Sequence, residues 1–172
     1  MRIRTVGVVG AGTMGSGIAA LAASAGVPVV LLDVPGDGAG PSPAELGVQR
    51  ALKARPPAFM DPARAALIRT GTIEADLGLL ADCDLVIEAI IEKPEPKRQL
   101  FDRLEGVLAP HAIVATNTSG IPVTLLAQGQ SEAFRRRFLG MHFFNPPRHL
   151  HLLELIPTAD TAIDVLDRKS VV

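Results

Sequence analysis

The stretch Val6-Gly7-Val8-Val9-Gly10-Ala11-Gly12-Thr13-Met14-Gly15 decides the fold of this chain. The apolar run from Ile3 to Val9 predicts a buried strand that ends at Gly10. Apolar side chains then recur at the spacing of one helix face and stop before a glycine; they are Met14, Ile18, Leu21 and Ala25, followed by Gly26. A second apolar run, Val27 to Leu32, ends at Asp33. The first part of the chain therefore predicts a strand, a glycine turn, a helix and a strand.

The three glycines of this turn each have a separate use in binding a dinucleotide. Gly10 permits the tight turn, Gly12 lets the backbone approach a pyrophosphate, and Gly15 lets the helix pack closely on the strand. The first helical residues, Thr13 and Met14, offer unpaired N–H groups at the positive end of the helix dipole, where phosphates bind. A glycine turn in a sheet protein that binds no nucleotide is the alternative interpretation.

Asp33 indicates which dinucleotide would bind. It ends the second strand, where a carboxylate can accept hydrogen bonds from the ribose hydroxyls of the adenosine half. A 2′-phosphate at that place would meet a like charge, and the following Val34 and Pro35 offer no arginine to compensate. The pattern therefore predicts NAD as the cofactor, in preference to NADP.

Strands and helices alternate along the rest of the chain. Apolar runs predict further strands over 85–91, 113–115, 138–144 and 150–156, with helices beginning at Pro94 and spanning 122–128. This alternation predicts an α/β fold, a doubly wound and mostly parallel sheet with helices on both faces. Between the second and third of the predicted strands, Ser42 begins a capping box and Asp61-Pro62 begins another helix, which predict an inserted helical hairpin over about 42–70. Extra packing helices and a lid over a ligand are both open interpretations of that hairpin.

Composition excludes several classes of protein for this chain of 172 residues. A net charge of −1 provides no basic field for nucleic acid, and 6 Phe with no Tyr or Trp provide no stacking platform. The single cysteine, Cys83, cannot form an internal disulfide or a cysteine-rich metal site. The sequence has no apolar run long enough to predict a membrane span. Because Met1 to Thr5 lead directly into the first strand, we expect no cleavable signal and a cytoplasmic protein.

Polar residues follow the predicted strands at the edge where open parallel sheets bind ligands. His142 ends one strand, and Glu154 lies twelve residues later on the next. If these strands form a hairpin, the carboxylate can hold one ring nitrogen and leave the other as a general base for hydride transfer. A packed strand residue is the alternative for His142. His149 and His151 lie two residues apart on a predicted strand and therefore share one of its faces, but too few ligands converge there to predict a metal site.

Four motifs, in this order and at these separations, resemble a known family. They are Gly10-Ala11-Gly12-Thr13-Met14-Gly15, Asp84-Leu85-Val86-Ile87-Glu88-Ala89, Asn117-Thr118-Ser119 and His142-Phe143-Phe144-Asn145-Pro146-Pro147. Together they resemble the N-terminal NAD-binding domain of the L-3-hydroxyacyl-CoA dehydrogenases, over roughly residues 3 to 157. The resemblance implies a Rossmann-like fold and the oxidation of the 3-hydroxyl group of an acyl-CoA to a ketone in fatty acid β-oxidation.

The resemblance also implies site residues. His142 would be the general base and Glu154 its orienting partner, while Ser119 would bind the substrate oxygen and the cofactor, and Asn145 would lie beside the nicotinamide. The residues implied to contact NAD are Asp33, Glu92 and Lys97, in addition to Gly10, Gly12, Thr13, Met14, Gly15, Ser119 and Asn145. The inserted hairpin would lie near CoA, with Lys53 and Arg55 as candidate partners for its phosphates.

The sequence departs from the family pattern in ways that affect these expectations. Gly120 stands where the family usually repeats serine, and Arg148-His149-Leu150 replaces a methionine-containing stretch, a variant that resembles long bacterial forms fused to enoyl-CoA hydratase. We expect the family's C-terminal helical domain, which completes the substrate site and forms the homodimer, to be absent from this chain. Two other functions stay open: an NAD-binding module without activity, and a dehydrogenase of a non-CoA hydroxy acid, although related enzymes of that kind use a lysine base.

Overall fold

The computed structural model describes residues 3–38 and 40–167 and has one sheet at its centre. The strands are β1 (Val6–Val9), β2 (Val29–Asp33), β3 (Ile68–Thr72), β4 (Leu85–Glu88), β5 (Ile113–Thr116), β6 (Phe138–Phe143) and β7 (Leu153–Pro157). The α-helices are α1 (Thr13–Ser24), α2 (Pro43–Lys53), α3 (Pro94–Glu105), α4 (Val123–Ala127), α5 (Glu132–Arg135) and α6 (Ile163–Asp167). Two 3₁₀ helices span Pro62–Leu67 and Leu77–Leu80. This architecture confirms the predicted α/β, Rossmann-like fold.

The sheet has the strand order β3-β2-β1-β4-β5-β6-β7. Every neighbouring pair is parallel except β6 and β7, which run antiparallel. The chain leaves β1 toward β2 and β3 on one side and later toward β4, β5 and β6 on the other. The switch point therefore lies between β1 and β4, and ligands of open α/β sheets bind outside the carboxyl ends of the strands at such a point.

Helices cover both faces of the sheet, which explains why its central strands are almost continuously apolar. One face packs against α3, α4 and α5 through side chains that include Phe101, Leu126 and Phe134. The other face packs against α1, α2 and α6 through Ile18, Ala51 and Val165. Among the described helices, none is both long enough and apolar enough to cross a membrane.

The predicted helical hairpin over 42–70 is wrong in its second half. Its first helix, α2, begins as predicted, because the Ser42 side chain accepts the N–H of Glu45 while the Glu45 carboxylate accepts the N–H of Ser42. The segment after Pro62 forms only a 3₁₀ helix, and the residues that follow pair with β2 as the edge strand β3. The sequence Ile68-Arg69-Thr70-Gly71-Thr72 alternates β-branched residues, which favours an extended strand over a second helix.

Candidate active site

The glycine turn leaves open space where a ligand can approach the backbone. A Cβ atom at Gly12 would meet nothing within 4 Å, whereas one at Gly15 would lie 1.7 Å from the carbonyl oxygen of Gly10. Gly10 has a φ of +100°, and a Cβ there would lie 2.5 Å from the carbonyl oxygen of Ala89. The geometry of the turn therefore requires glycine at Gly10 and Gly15. The open space at Gly12 fits a dinucleotide phosphate above the N-terminus of α1, where Thr13 and Met14 begin the helix.

Asp33 lies beside the same turn. Its Oδ2 accepts the N–H of Ala11 at 2.7 Å, and its Oδ1 accepts the N–H of Val34 at 2.7 Å. Each carboxylate oxygen can accept a further hydrogen bond, and the side chain is only half-buried. The carboxylate is thus available to ribose hydroxyls at the end of β2.

Helix α2 packs against the outer side of the turn. A Cβ at Gly47 would lie 2.8 Å from the carbonyl oxygen of Ala11, so the helix approaches the turn as closely as a residue without a side chain allows. Arg50, one helical turn later, donates from Nη2 to the same carbonyl oxygen at 2.6 Å. The sequence analysis assigned no role to either residue, because their contacts with Ala11 depend on how α2 packs.

A buried ion pair joins β4 to α3 on the other side of the switch point. The Nζ of Lys97 lies 2.6 Å from Oε1 of Glu88, and the two side chains are 1% and 0% exposed. Glu88 also accepts the N–H of Ile90 at 2.7 Å and the hydroxyl of Thr116 at 2.6 Å. From the sequence, it could be seen only that Glu88 interrupts the apolar run of β4. Its partner, Lys97, lies on the next helix, α3, and could not be identified from that pattern.

Glu92 continues this network to the loop after β5. Its Oε2 lies 3.2 Å from the Nζ of Lys97, and its Oε1 accepts the Thr118 hydroxyl and the N–H groups of Ser119 and Gly120. Burial raises the pKa of Glu92, but the hydrogen bonds from Thr118 and Gly120 and the charge of Lys97 outweigh it and lower the pKa to about 2. Glu92 is therefore an anion at neutral pH.

His142 and Glu154 face each other across the β6–β7 pair. The two residues are directly opposed in the antiparallel register, and Nδ1 of His142 lies 2.8 Å from Oε2 of Glu154. When Nδ1 donates its proton to the carboxylate, a neutral imidazole has Nε2 left as an acceptor. Nε2 has no hydrogen-bond partner among residues 3–38 and 40–167. The ring of Phe144 packs at 4.6 Å, centroid to centroid, from the imidazole.

The pleat of β6 directs His142 toward the face that carries α4. Phe138, an even number of residues away, packs in the cluster of α3, α4 and α5, whereas Leu139 packs on the opposite face. Ser119 lies in the loop that leads to α4 and is exposed there. Nearby, the side-chain Oδ1 of Asn117 accepts the N–H of Phe143 at 2.9 Å and so joins the ends of β5 and β6. The sequence motif contained Asn117 but did not indicate this contact.

Asn145 helps to line a crevice of about 240 Å³ between α1, α2 and the loop after β6. Three arginines line the crevice, Arg50, Arg55 and Arg148, and within the described part of the chain their guanidinium groups bond only to carbonyl oxygens. Arg148 donates to Pro57 at 3.0 Å and to Phe59 at 2.7 Å, residues far from it in sequence. Their positive charge suits a ligand with phosphate groups.

Metal-binding side chains do not cluster in the described ranges. No group of three or more His, Cys, Asp or Glu residues there could hold an ion. His149, considered above for such a role, lies with Nε2 at 3.0 Å from the carbonyl oxygen of Pro57. Its contact is therefore with the segment between α2 and β3.

The family model for the NAD-binding domain of 3-hydroxyacyl-CoA dehydrogenase matches residues 5–171 of the sequence. The chain belongs to this family. As an NAD-binding domain it has NAD as its cofactor, and the residues around the glycine turn fit that group: the space at Gly12, the first turn of α1 and the Asp33 carboxylate.

Relatives of this NAD-binding domain are longer proteins. A probable 3-hydroxyacyl-CoA dehydrogenase of Deinococcus radiodurans is 54% identical over 163 residues, which cover 94% of this chain and 47% of the relative. A putative fatty acid oxidation complex trifunctional enzyme of Rickettsia felis is 42% identical over 170 residues, which cover 98% of this chain and 24% of the relative. The crystal structure of FadB2 from M. tuberculosis has a TM-score of 0.81 at 38% identity and covers 99% of this chain and 59% of that one. The NAD-binding domain thus spans about half, or less, of these two relatives.

Proposed function

We propose that the full-length protein containing this domain oxidises L-3-hydroxyacyl-CoA to 3-oxoacyl-CoA with NAD. The observation that carries the proposal is the 2.8 Å contact between His142 and Glu154 at the carboxyl edge of the sheet, with Nε2 of the imidazole unpaired in the described structure. That edge is where the glycine turn, Glu92 and Ser119 also lie. Relatives named as 3-hydroxyacyl-CoA and 3-hydroxybutyryl-CoA dehydrogenases support a hydroxyacyl-CoA substrate.

The side chains divide the chemistry between them. Nε2 of His142 takes the proton of the substrate 3-hydroxyl group, and the Glu154 carboxylate stabilises the imidazolium that results. The Ser119 hydroxyl orients the substrate oxygen toward His142, and Asn145 lies beside the nicotinamide. NAD, held by the glycine turn, the first turn of α1 and Asp33, would supply the hydride acceptor for the oxidation of carbon 3 to a ketone. The domain thus contributes positioning and proton transfer.

The arginine-lined crevice supports the CoA part of the substrate. Arg55 and Arg148 lie on its walls with Asn145 on the rim, so an anionic ligand in the crevice would lie close to the loop that follows His142. CoA carries a pyrophosphate and a 3′-phosphate, whereas a small hydroxy acid carries no phosphate group that could use these arginines. We therefore favour a CoA thioester over a free sugar acid.

The longer relatives support two further parts of the proposal. One is named as a fatty acid oxidation complex trifunctional enzyme, which favours a role in fatty acid β-oxidation and a parent protein with other domains. The substrate site would then be completed by a C-terminal domain that also forms a homodimer. The 172-residue chain alone would bind NAD with little or no turnover.

Two measurements test the proposed function. Calorimetric titration with NADH should show saturable binding to the 172-residue chain and to the full-length protein. Reduction of acetoacetyl-CoA should be catalysed by the full-length protein and be inhibited competitively by free CoA. Binding without turnover in the full-length protein would contradict the enzymatic role and favour an NAD-binding module. Turnover that free CoA does not inhibit would instead favour a non-CoA hydroxy acid.

Replacing Asp33 by alanine should weaken NAD binding by about 10-fold to 100-fold, because hydrogen bonds to a charged acceptor contribute about 1.5–3 kcal/mol. NADP should bind no more weakly than before, since the like charge that opposes its 2′-phosphate is gone. Calorimetry with both dinucleotides measures the ratio of their affinities. Asp33→Asn is the control for the turn, because its amide oxygen can still accept the N–H of Ala11. An unchanged preference for NAD in both variants would contradict the assignment of Asp33.

A further inference from the structure

Three charged side chains, at the end of β4, in the loop that follows it and on α3, carry a net negative charge. Both oxygens of Glu88 accept hydrogen bonds, from Lys97, Ile90 and Thr116, and the Lys97 ammonium group is the counter-ion of this buried carboxylate. The Nζ of Lys97 lies within 3.5 Å of Glu88, Glu92 and the carbonyl oxygen of Ile90, which accounts for the three N–H donors of an ammonium group. Glu92 supplies the second negative charge. One cation between two carboxylates leaves this cluster, Glu88–Lys97–Glu92, at −1.

The cluster borders the half of the cleft that a nicotinamide must occupy. The glycine turn at the end of β1 holds the pyrophosphate, and Asp33 at the end of β2 directs the adenosine half to that side of the switch point. The other half extends over β4 and β5 toward His142 at the end of β6. Glu92 and the loop it holds, residues 117–120, lie on this path. This placement rests on the proposed function.

We propose that the Glu88–Lys97–Glu92 cluster raises the affinity of the site for the oxidised dinucleotide, NAD⁺, relative to NADH. The nicotinamide ring carries a positive charge in NAD⁺ and no charge in NADH, while the rest of the two molecules is the same. A net negative cluster beside the ring therefore stabilises only the oxidised form. Because tighter binding of NAD⁺ favours loading of the oxidant, the cluster biases the site toward oxidation of the hydroxyl substrate.

Neighbouring charges do not cancel this effect. Lys93 and Glu95 flank the cluster with opposite charges, and both are exposed to solvent. The N-terminus of α3, beginning at Pro94, contributes about half a positive charge, which is less than the full negative charge of the cluster. Hydrogen bonds from the loop after β5 hold Glu92 in its ionised form, so the negative charge is permanent across neutral pH.

The test is the ratio of the dissociation constants of NAD⁺ and NADH, measured by calorimetry on the full-length protein. Glu92→Gln should weaken NAD⁺ by about fivefold relative to NADH, because it removes the net negative charge of the cluster and a charge–charge interaction of about 1 kcal/mol corresponds to that factor. Glu92→Asp keeps the charge and should leave the ratio unchanged, even if both affinities fall. Thr118→Val removes a hydrogen bond to Glu92 without removing a charge, so it should weaken both forms equally.

Glu95→Gln is the control, because Glu95 is an exposed carboxylate three residues after Glu92, in the first turn of α3, and its replacement should leave both affinities unchanged. Equal loss of NAD⁺ and NADH affinity in Glu92→Gln would overturn the inference, because the side chain would then act only by positioning the loop. Failure of the unaltered protein to bind either form would overturn the proposed function, and this inference with it.

Discussion

Replacing His142 by glutamine is expected to lower turnover of the full-length protein by about 10²-fold to 10⁴-fold, the usual contribution of a general base. Glutamine can still donate a hydrogen bond to Glu154, so the β6–β7 pair should keep its structure, but the side chain cannot take up a proton. NAD affinity should therefore remain close to that of the unaltered protein. Steady-state kinetics with acetoacetyl-CoA and NADH, together with calorimetric titration of NADH, measure the two quantities separately.

His149→Gln is the matched control for this experiment. His149 is exposed, lies in the loop that connects β6 to β7 and contacts the carbonyl oxygen of Pro57, so its replacement should leave turnover nearly unchanged. Turnover of His142→Gln within about twofold of the unaltered protein would remove His142 from the role of base, since general-base catalysis contributes far more than that. A large loss in His149→Gln as well would mean that the whole loop, rather than one imidazole, is required.

Replacing Lys97 by methionine is expected to destabilise the domain by about 3–5 kcal/mol, the usual effect of removing one partner of a buried ion pair. Methionine fills a similar volume, but it leaves Glu88 fully buried without a counter-ion and Glu92 without its nearest cation. Urea unfolding followed by circular dichroism measures the free energy of unfolding directly. We expect the unfolding transition of Lys97→Met to shift to markedly lower urea concentration.

Two further variants separate the ion pair from a general effect of losing a lysine. Lys93→Met removes an exposed lysine immediately before α3 and should change the free energy of unfolding by less than about 0.5 kcal/mol. The double variant Glu88→Gln with Lys97→Met should recover part of the loss, because it buries no unpaired charge. If Lys97→Met lowers the free energy of unfolding by less than about 1 kcal/mol, the stabilising role given to this pair is contradicted, because removing one partner of a fully buried ion pair is strongly destabilising.

The parts of the fold that could be predicted are those determined by residues close together in the sequence. The strand, glycine turn, helix and strand around Gly10 follow from residues that are close in sequence, and the structure confirms them. The hairpin of β6 and β7 is also a local feature, and its register places His142 opposite Glu154 as the sequence analysis expected. What these two side chains do in catalysis stays a prediction, as do the roles of Ser119 and Asn145.

The features that the sequence did not predict depend on packing between distant segments. The alternation of Ile68, Thr70 and Thr72 favours a strand, but the pairing of that strand with the edge of β2 depends on packing and is not contained in the local pattern. In the sequence, Lys97 cannot be distinguished from the other polar residues of α3, yet in the folded protein it is buried against Glu88. The arginine crevice likewise requires Arg148 to reach Pro57 and Phe59, about ninety residues away. Single-sequence periodicity contains no such information.

The contacts around Ala11 affect the conformational entropy that the glycine turn loses when a ligand binds. The N–H of Ala11 donates to Asp33, its carbonyl oxygen accepts from Arg50, and Gly47 of α2 packs directly against it. The backbone of the glycine turn is therefore held in its conformation before a ligand binds. A rigid receptor surface loses little conformational entropy when it is occupied, and so more of the interaction with the diphosphate appears as affinity. Loosening α2 should therefore weaken nucleotide capture even though no atom of that helix needs to touch the nucleotide.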